Sequence, residues 1–353
     1  MRRTCTVLML SAALLIPASG AHGIVVTPTG NAVTLVSQIL GSGITLVGTP
    51  TFIGAPLGAG TFTGGMASGI GIPQGIILSS GLASSAPGPN SSGSTSWDFG
   101  VAGDASLDLL VPGSATQDAT GIEFDFSKPA GLNSDLVFNF VFSSEEYLEY
   151  VGSIFNDVFG FYVDGVNIGL VPGTTLPITV NTVNQSTNAT YYVNNPDGAA
   201  PPFALEYDGF TKAITARLKG LTPGTHHMKL VIADTSDGIY DSAVFIQAGT
   251  FGVNIWGDAI DVGGGWKWLS WFGFFVDYGD GWIWHNEHHL MFASGTSTSS
   301  IWLYTPDMGW LWTSNSQYPF LYRSSPAAWL WYQKGSVGPR WFYNLTTSTW
   351  ESH

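Results

Sequence analysis

The chain has 353 residues, of which only 10% are charged, and 25 Asp and Glu against 11 Lys and Arg leave a net charge of −14. That balance, without clustered Lys or Arg, excludes nucleic acid and anionic lipid as electrostatic partners, since both require basic patches; it is compatible with divalent cations and with extracellular solubility. Cys5 is the one cysteine, so no disulfide framework exists.

Residues 1–23 read as a signal peptide. Arg2 and Arg3 precede an apolar run at residues 7–17, too short to span a bilayer, and small residues follow as a cleavage site. Cys5 lies ahead of the apolar run, whereas a lipoprotein cysteine would follow it. Losing Arg2 and Arg3 takes the net charge from −14 to −16 and leaves no cysteine, the pattern of an exported bacterial envelope or extracellular protein. No transmembrane span is expected.

Residues 24–252 read as a β-sandwich or jelly roll. "NAVTLVSQILG" predicts one short helix, ended by Gly41. Residues 84–96, "SSAPGPNSSGSTS", are a surface loop by composition. "GIEFDF" sets Ile122, Phe124 and Phe126 against Glu123 and Asp125, and "DLVFNFVF" puts Leu136, Phe138, Phe140 and Phe142 on one strand face. Asp164-Gly165 is a hairpin signal. Thr222-Pro223-Gly224 is another turn, and in the following "HHMKLVIAD" one of His226 and His227 is expected to face water.

Between these strands lies "FSSEEYLEYVGSIFNDVFGFYVDG", with Glu145, Glu146, Glu149 and Asp157 and no basic residue. Ser143 and Glu146 fit a capping box, which predicts a helical turn on whose face Glu145 and Glu149 meet. Like charges so placed repel unless water or a cation relieves them. "IADTSDGIYDS" adds Asp234, Asp237 and Asp241. Hard oxygen donors of this kind suit calcium, so Glu145, Glu146, Asp157, Asp234, Asp237 and Asp241 are candidate calcium ligands, although neither stretch has the EF-hand order. The alternative is that the aspartates are turn formers on a solvated loop.

"GIPQGIILSSG", "GDASLDLL", the S-E-E-Y and F-N-D-V-F-G-F blocks, "YDGFT" and "IADTSDGIYDSAVFIQAGTF" follow one another in an order that resembles the choice-of-anchor L domain of exported bacterial proteins. The resemblance implies a secreted or surface module without catalytic activity, followed by a C-terminal sorting or anchoring element. No Pro-Glu-Pro segment, Leu-Pro-x-Thr-Gly motif or apolar helix with a basic end precedes His353, and a tryptophan-rich region stands where an anchor is expected.

That region holds thirteen of the fourteen tryptophans. A glycine-rich linker is expected at residues 253–265, then a meander of β-hairpins at residues 266–353. Trp282/Trp284, Trp310/Trp312 and Trp329/Trp331 are two apart, the strand period, so each pair lines one face. So many rings exceed what a thin meander buries. Those six are therefore candidate ligands for an envelope or extracellular glycan polymer, with a packed core of tryptophans as the alternative. His285, His288 and His289 with Glu287 suggest zinc, but His at i and i+4 bind zinc on a helix, and the Trp-x-Trp pattern here reads as strand.

No G-x-S-x-G elbow occurs, and no catalytic residue is assigned. The expectation is a non-catalytic exported binding or structural module; the alternative is a secreted carbohydrate-active hydrolase pairing Glu145 or Glu146 with Asp241.

Overall fold

A computed structural model describes residues 23–353 except 42, 130–133, 257–258, 279–280 and 299. All but the last residue of the expected leader lies outside the described residues. The protein is mostly β, as its alternating segments require. Two antiparallel sheets pack face to face, and a third follows them along the chain.

Sheet I runs, in hydrogen-bonded order, Val25–Pro28, Ala59–Thr63, Gly75–Ser79, Ser242–Gln247, Ser134–Ser144, Gly209–Thr211 and Tyr192–Asn194; Ile214–Leu221 and Gly252–Asn254 also pair with Ser134–Ser144. Sheet II runs Thr45–Ile53, Thr116–Lys128, Gly224–Thr235, Val158–Val163 and Val166–Asn167. The alternation seen in the sequence decides how they meet. Leu136, Phe138, Phe140 and Phe142 of sheet I are fully buried against Ile122, Phe126, Phe159 and Phe161 of sheet II. Phe138 meets Phe161 edge-on at 4.8 Å between centroids, and Phe140 meets Phe159 at 5.1 Å, a geometry that adds to the burial energy.

The expected helix is Ala32–Ile39. Asn31 caps it by accepting from the Thr34 N–H, and Leu35, Val36 and Ile39 enter the core. It stops where Leu40 bridges Phe251. The Asp164-Gly165 hairpin is present, with both residues at positive φ. His226 is buried, with Nδ1 2.7 Å from Asp164 Oδ2, and His227 faces water.

Residues 253–265 divide between the sheets. Val253 pairs with Leu136 of sheet I, Trp256 is buried in the core of the third sheet, and Ile260–Gly263 is that sheet's first strand. Glycines 263–265 all have positive φ and make its first turn.

The third sheet has 11 strands in sequence order, from Ile260–Gly263 to Thr349–Ser352. Its middle strands alternate. Ile283, Met291, Ile301, Leu303, Leu311, Leu321 and Leu330 are fully buried on one face. The sheet curls over them, because non-adjacent hairpins meet on the inside. Arg323 pairs with Glu351 at 2.7 Å two strands beyond its neighbour, Tyr332 donates to Glu287 at 2.9 Å, and Arg340 pairs with Asp307. His285 and His288 belong to this interior. His285 Nε2 lies 2.8 Å from the Phe272 carbonyl and its Nδ1 accepts from the Glu287 and His288 N–H groups, so both ring nitrogens are engaged in local structure. His289 lies outside, stacked on Trp284.

Among the described residues no helix is long and apolar enough to cross a membrane. The two faces of the third sheet predict opposite mutational costs. Leu303→Ala should destabilise the tail by about 2–5 kcal/mol, the usual range for a buried leucine. Trp302→Ala, next to it on the outer face, should cost less than half as much. Denaturant unfolding followed by tryptophan fluorescence measures both.

Candidate functional sites

Because both sheets are antiparallel and share one core, several strand ends meet at one end of the sandwich. Sheet I contributes the ends at Ser144, Gly209 and Ser242. Sheet II contributes those at Thr116, Val158 and Thr235. Each is flanked by acids. All eight carboxylates buried among the described residues belong to this end: Asp118, Glu145, Glu146, Asp157, Glu206, Asp208, Asp234 and Asp241.

Asp157 ties the sheets together. Its Oδ1 accepts from the Thr235 N–H at 2.9 Å and its Oδ2 from Ser242 Oγ at 2.7 Å. Asp241 Oδ1 accepts from the Trp97 N–H at 3.1 Å, and the Glu145 N–H donates to the Asp241 carbonyl. A Cβ at Gly81 would stand 1.6 Å from Asp241 Oδ2, so only glycine fits beside that carboxylate. Asp118 accepts from the N–H groups of Phe99 and Val101.

Several oxygens have no partner. Both oxygens of Glu145, both of Asp234, Glu146 Oε2, Asp241 Oδ2 and the Thr235 hydroxyl are buried without a hydrogen bond. None of the eight carboxylates takes part in an ion pair among the described residues. Lys128 points to the Leu221 carbonyl instead. Burial, reinforced by Asp208, Glu206 and Asp241, pushes the Glu145 carboxyl up to about 10. Burial with Asp157 and Asp237 nearby pushes Glu146 up to about 9. Asp157, Asp208 and Asp241 are each pushed up to about 7, first by desolvation. Asp234 is raised well above the ordinary carboxylate range by burial and by its neighbours Asp157 and Asp241.

Of the six acids singled out in the sequence, five are in this pit. Asp237 stands at its rim, partly exposed. The capping box does not form. Ser143 Oγ donates to the Ala243 carbonyl, Ser144 Oγ accepts from the Glu146 N–H, and residues 145–152 make irregular turns. Glu145 is consequently buried while Glu149 faces water, and the two do not share a face. Three further members, Asp118, Glu206 and Asp208, carry no signal in the sequence. Nor does the contact made by residues 84–96. That segment lies against the pit: Asn90 Nδ2 donates to Asp208 Oδ1 at 2.6 Å, and the Ser91 and Thr95 hydroxyls donate to Glu206 Oε1 at 2.9 Å. Among the described residues, no three His, Cys, Asp or Glu side chains already stand around one point ready to hold a metal ion.

The second site is the outer face of the third sheet. Cross-strand register lines up Trp282, Phe292, Tyr304 and Trp310 in one row. Trp302, Trp312, Tyr322 and Trp329 form the next, and Phe320, Trp331, Tyr343 and Trp350 a third. Trp284, Trp310 and Trp329 are 37–40% exposed, while Trp282, Trp312 and Trp331 are partly covered by neighbouring rings. Trp312 packs edge-on to Trp329 at 6.0 Å, and Trp331 to Trp350 at 6.0 Å. Trp256 is the tryptophan fully within the tail's core, 3% exposed.

The choice-of-anchor L domain description matches residues 25–252, well over half of the chain. The chain belongs to the choice-of-anchor L family. Choice-of-anchor L domains are non-catalytic and mark exported, surface-associated bacterial proteins. The match ends at the start of the last strand of sheet I, Gly252–Asn254, and the aromatic sheet lies beyond it. No curated protein and no solved structure matches the chain.

The carboxylate shifts fix a pH dependence for this choice-of-anchor L domain in the absence of multivalent cations. A carboxyl whose folded pKa lies above its unfolded value near 4 binds its proton more tightly when folded. The stability it contributes is complete below about pH 4 and is lost as pH rises through the folded values of 7 to 9 or 10. In chelator, the melting temperature of the sandwich should therefore fall from pH 6.5 to pH 9. Calorimetry across that range checks it; a flat or rising curve contradicts the burial described here.

Proposed function

We propose that this protein is a non-catalytic surface module whose aromatic sheet attaches it to an envelope or extracellular glycan. The observation that carries the reading is the division of labour in the third sheet. Aliphatic residues from the middle strands, with Phe272, Phe275, Tyr318, Tyr332, Phe342 and Trp256, close its inner face, so the tail's core does not require the tryptophans on the outer face. Half-exposed rings on a sheet face form an extended apolar surface of the kind that marks interaction sites. Aromatic faces stack on the apolar faces of sugar rings, and the serines among these rows, Ser294, Ser300 and Ser324, are exposed hydrogen-bonding groups. Charge is sparse on this face, which favours a neutral polymer over an ionic one.

The hydrolase reading has less support. Glu145 and Glu146 are 0% and 1% exposed, so a polysaccharide could reach them only by opening the pit. A cleft of about 930 Å³ lies between the sandwich and the tail, but its charged groups Arg217 and Lys267 are paired with Asp135 and Asp277.

Many weak stacking contacts add by avidity. A chain ending at Asn254, which keeps the last strand of sheet I, should fold and be exported but appear in the medium, while the full chain stays with the cell envelope. Single replacements such as Trp310→Ala or Trp329→Ala should reduce retention partly. Combining them with Trp350→Ala should abolish it without unfolding the tail. Fractionation of cells and medium, with circular dichroism of each purified variant, decides the matter. Equal partitioning of full and shortened chains removes the attachment role.

A further inference from the structure

We propose that the buried acidic pit at the end of the sandwich is a calcium site, with Asp157, Asp234 and Asp241 as its carboxylate ligands and Glu145 and the Thr235 hydroxyl beside them. This goes beyond the glycan reading and does not depend on it.

The ground is the set of buried oxygens without partners. A buried carboxylate without a donor or counter-charge is strongly unfavourable. Asp234 is 0% exposed with two such oxygens, and Glu145 likewise. Each has further carboxylates as electrostatic neighbours, Asp157 and Asp241 for the first, Asp208, Glu206 and Asp241 for the second. Surface-loop aspartates that merely form turns would face water. These are enclosed by both sheets and by residues 90–97, whose hydrogen bonds go to Glu206, Asp208 and Asp241.

The chemistry fits calcium better than other divalent ions. Every donor is a hard oxygen, and no cysteine or histidine is among them. Calcium accepts about six to eight oxygens in adaptable geometry, whereas magnesium demands a near-ideal octahedron and retains several waters. The carboxylates do not yet surround a single point. Closing on an ion requires the carboxylates of Asp157, Asp234 and Asp241 to draw together, with the Ser80 side chain beside Asp234 and the Ser96 side chain beside Asp241 as neighbouring oxygens. Asp157 stands at the start of one strand of sheet II, Asp234 near the end of another, and Asp241 just before a strand of sheet I. An ion there joins the two sheets at the same place as the Asp157–Ser242 hydrogen bond.

The test uses the purified chain, stripped with EGTA and returned to chelator-free buffer. Equilibrium dialysis should find at least one calcium per chain. At free calcium one hundred times the dissociation constant, the folding equilibrium should move about 100-fold toward the folded state, seen as a rise in melting temperature that magnesium at equal concentration does not match. Asp234→Asn should remove the calcium response. In EGTA it should melt no lower than the parent, since it replaces a buried unpartnered carboxylate with a neutral isostere. No bound calcium and identical melting with calcium and with EGTA would overturn the site. A full calcium response surviving in both Asp234→Asn and Asp241→Asn would overturn it too, by placing the ion elsewhere, and an equal magnesium response would overturn the assignment to calcium. Should Asp234→Asn fail to fold, dialysis and melting of the parent chain still decide.

Discussion

The phenylalanine core between sheets I and II is the constraint on which the rest of the sandwich depends. Once Phe138 and Phe140 are set edge-on against Phe161 and Phe159, neither sheet can slide without breaking close-packed ring contacts. A one-residue slip would also turn each inward face to water. With register fixed, the strand ends are fixed as well. Residues 157, 234 and 241 are far apart in sequence, yet Val158 pairs with Ala233 and Asp157 accepts from Thr235 and Ser242, because six strands end together. The acidic pit is thus a consequence of sheet alignment, and its burial follows from the loops that cross that end.

The tail solves a different packing problem. Its single sheet has no partner sheet, so it covers its inner face by curling, with the Arg323–Glu351 and Tyr332–Glu287 contacts joining hairpins that are not neighbours. A concave inner surface has less room per residue than the convex outer one. Leu, Ile and Met from the middle strands occupy the inside with a few aromatics such as Phe275, Tyr332 and Trp256, and most of the bulky indoles stand outside, where the curvature gives them space. Arg323 holds the Glu351 carboxyl down to about 2, so this ion pair persists throughout the pH range in which the protein would normally be found.

Periodicity along the chain was legible in the sequence wherever it decides a local face. The inward sets of Leu136–Phe142 parity, the helix capped by Asn31, the Asp164-Gly165 hairpin and the two-residue spacing of the tryptophans were all readable in advance. What the sequence left open was which side of a strand faces the core when both sides are apolar. In Ile301-Trp302-Leu303-Tyr304 either parity is hydrophobic enough to be buried, and only the curl of the sheet separates them. The pit was half-legible. Glu145, Glu146, Asp157, Asp234 and Asp241 stood out because they lack basic neighbours in sequence. Asp118, Glu206 and Asp208 did not, because their membership arises from strand ends that meet only in space. Residues 84–96 form the surface loop their composition implies, but its contact with the pit was not legible for the same reason: Asn90 and Ser91 look like ordinary loop residues until the carboxylates they bond are placed beside them.

The third sheet is built in strict sequence order, each strand pairing with the next. An architecture of that kind changes length by whole hairpins. Duplicating a two-strand unit such as Ser300–Thr305 with Gly309–Thr313 preserves chain direction, adds one aliphatic layer inside and one set of rings outside, and leaves the sandwich untouched. An odd number of added strands would instead send the chain out of the opposite edge. The long-range pairs closing the curl limit this growth, since an insertion between Glu287 and Tyr332 or between Asp307 and Arg340 separates partners that now touch. Tail length is therefore a quantised variable, constrained between Glu287 and Arg340 by the contacts that close the curl, and the strength of a multivalent surface would step with it.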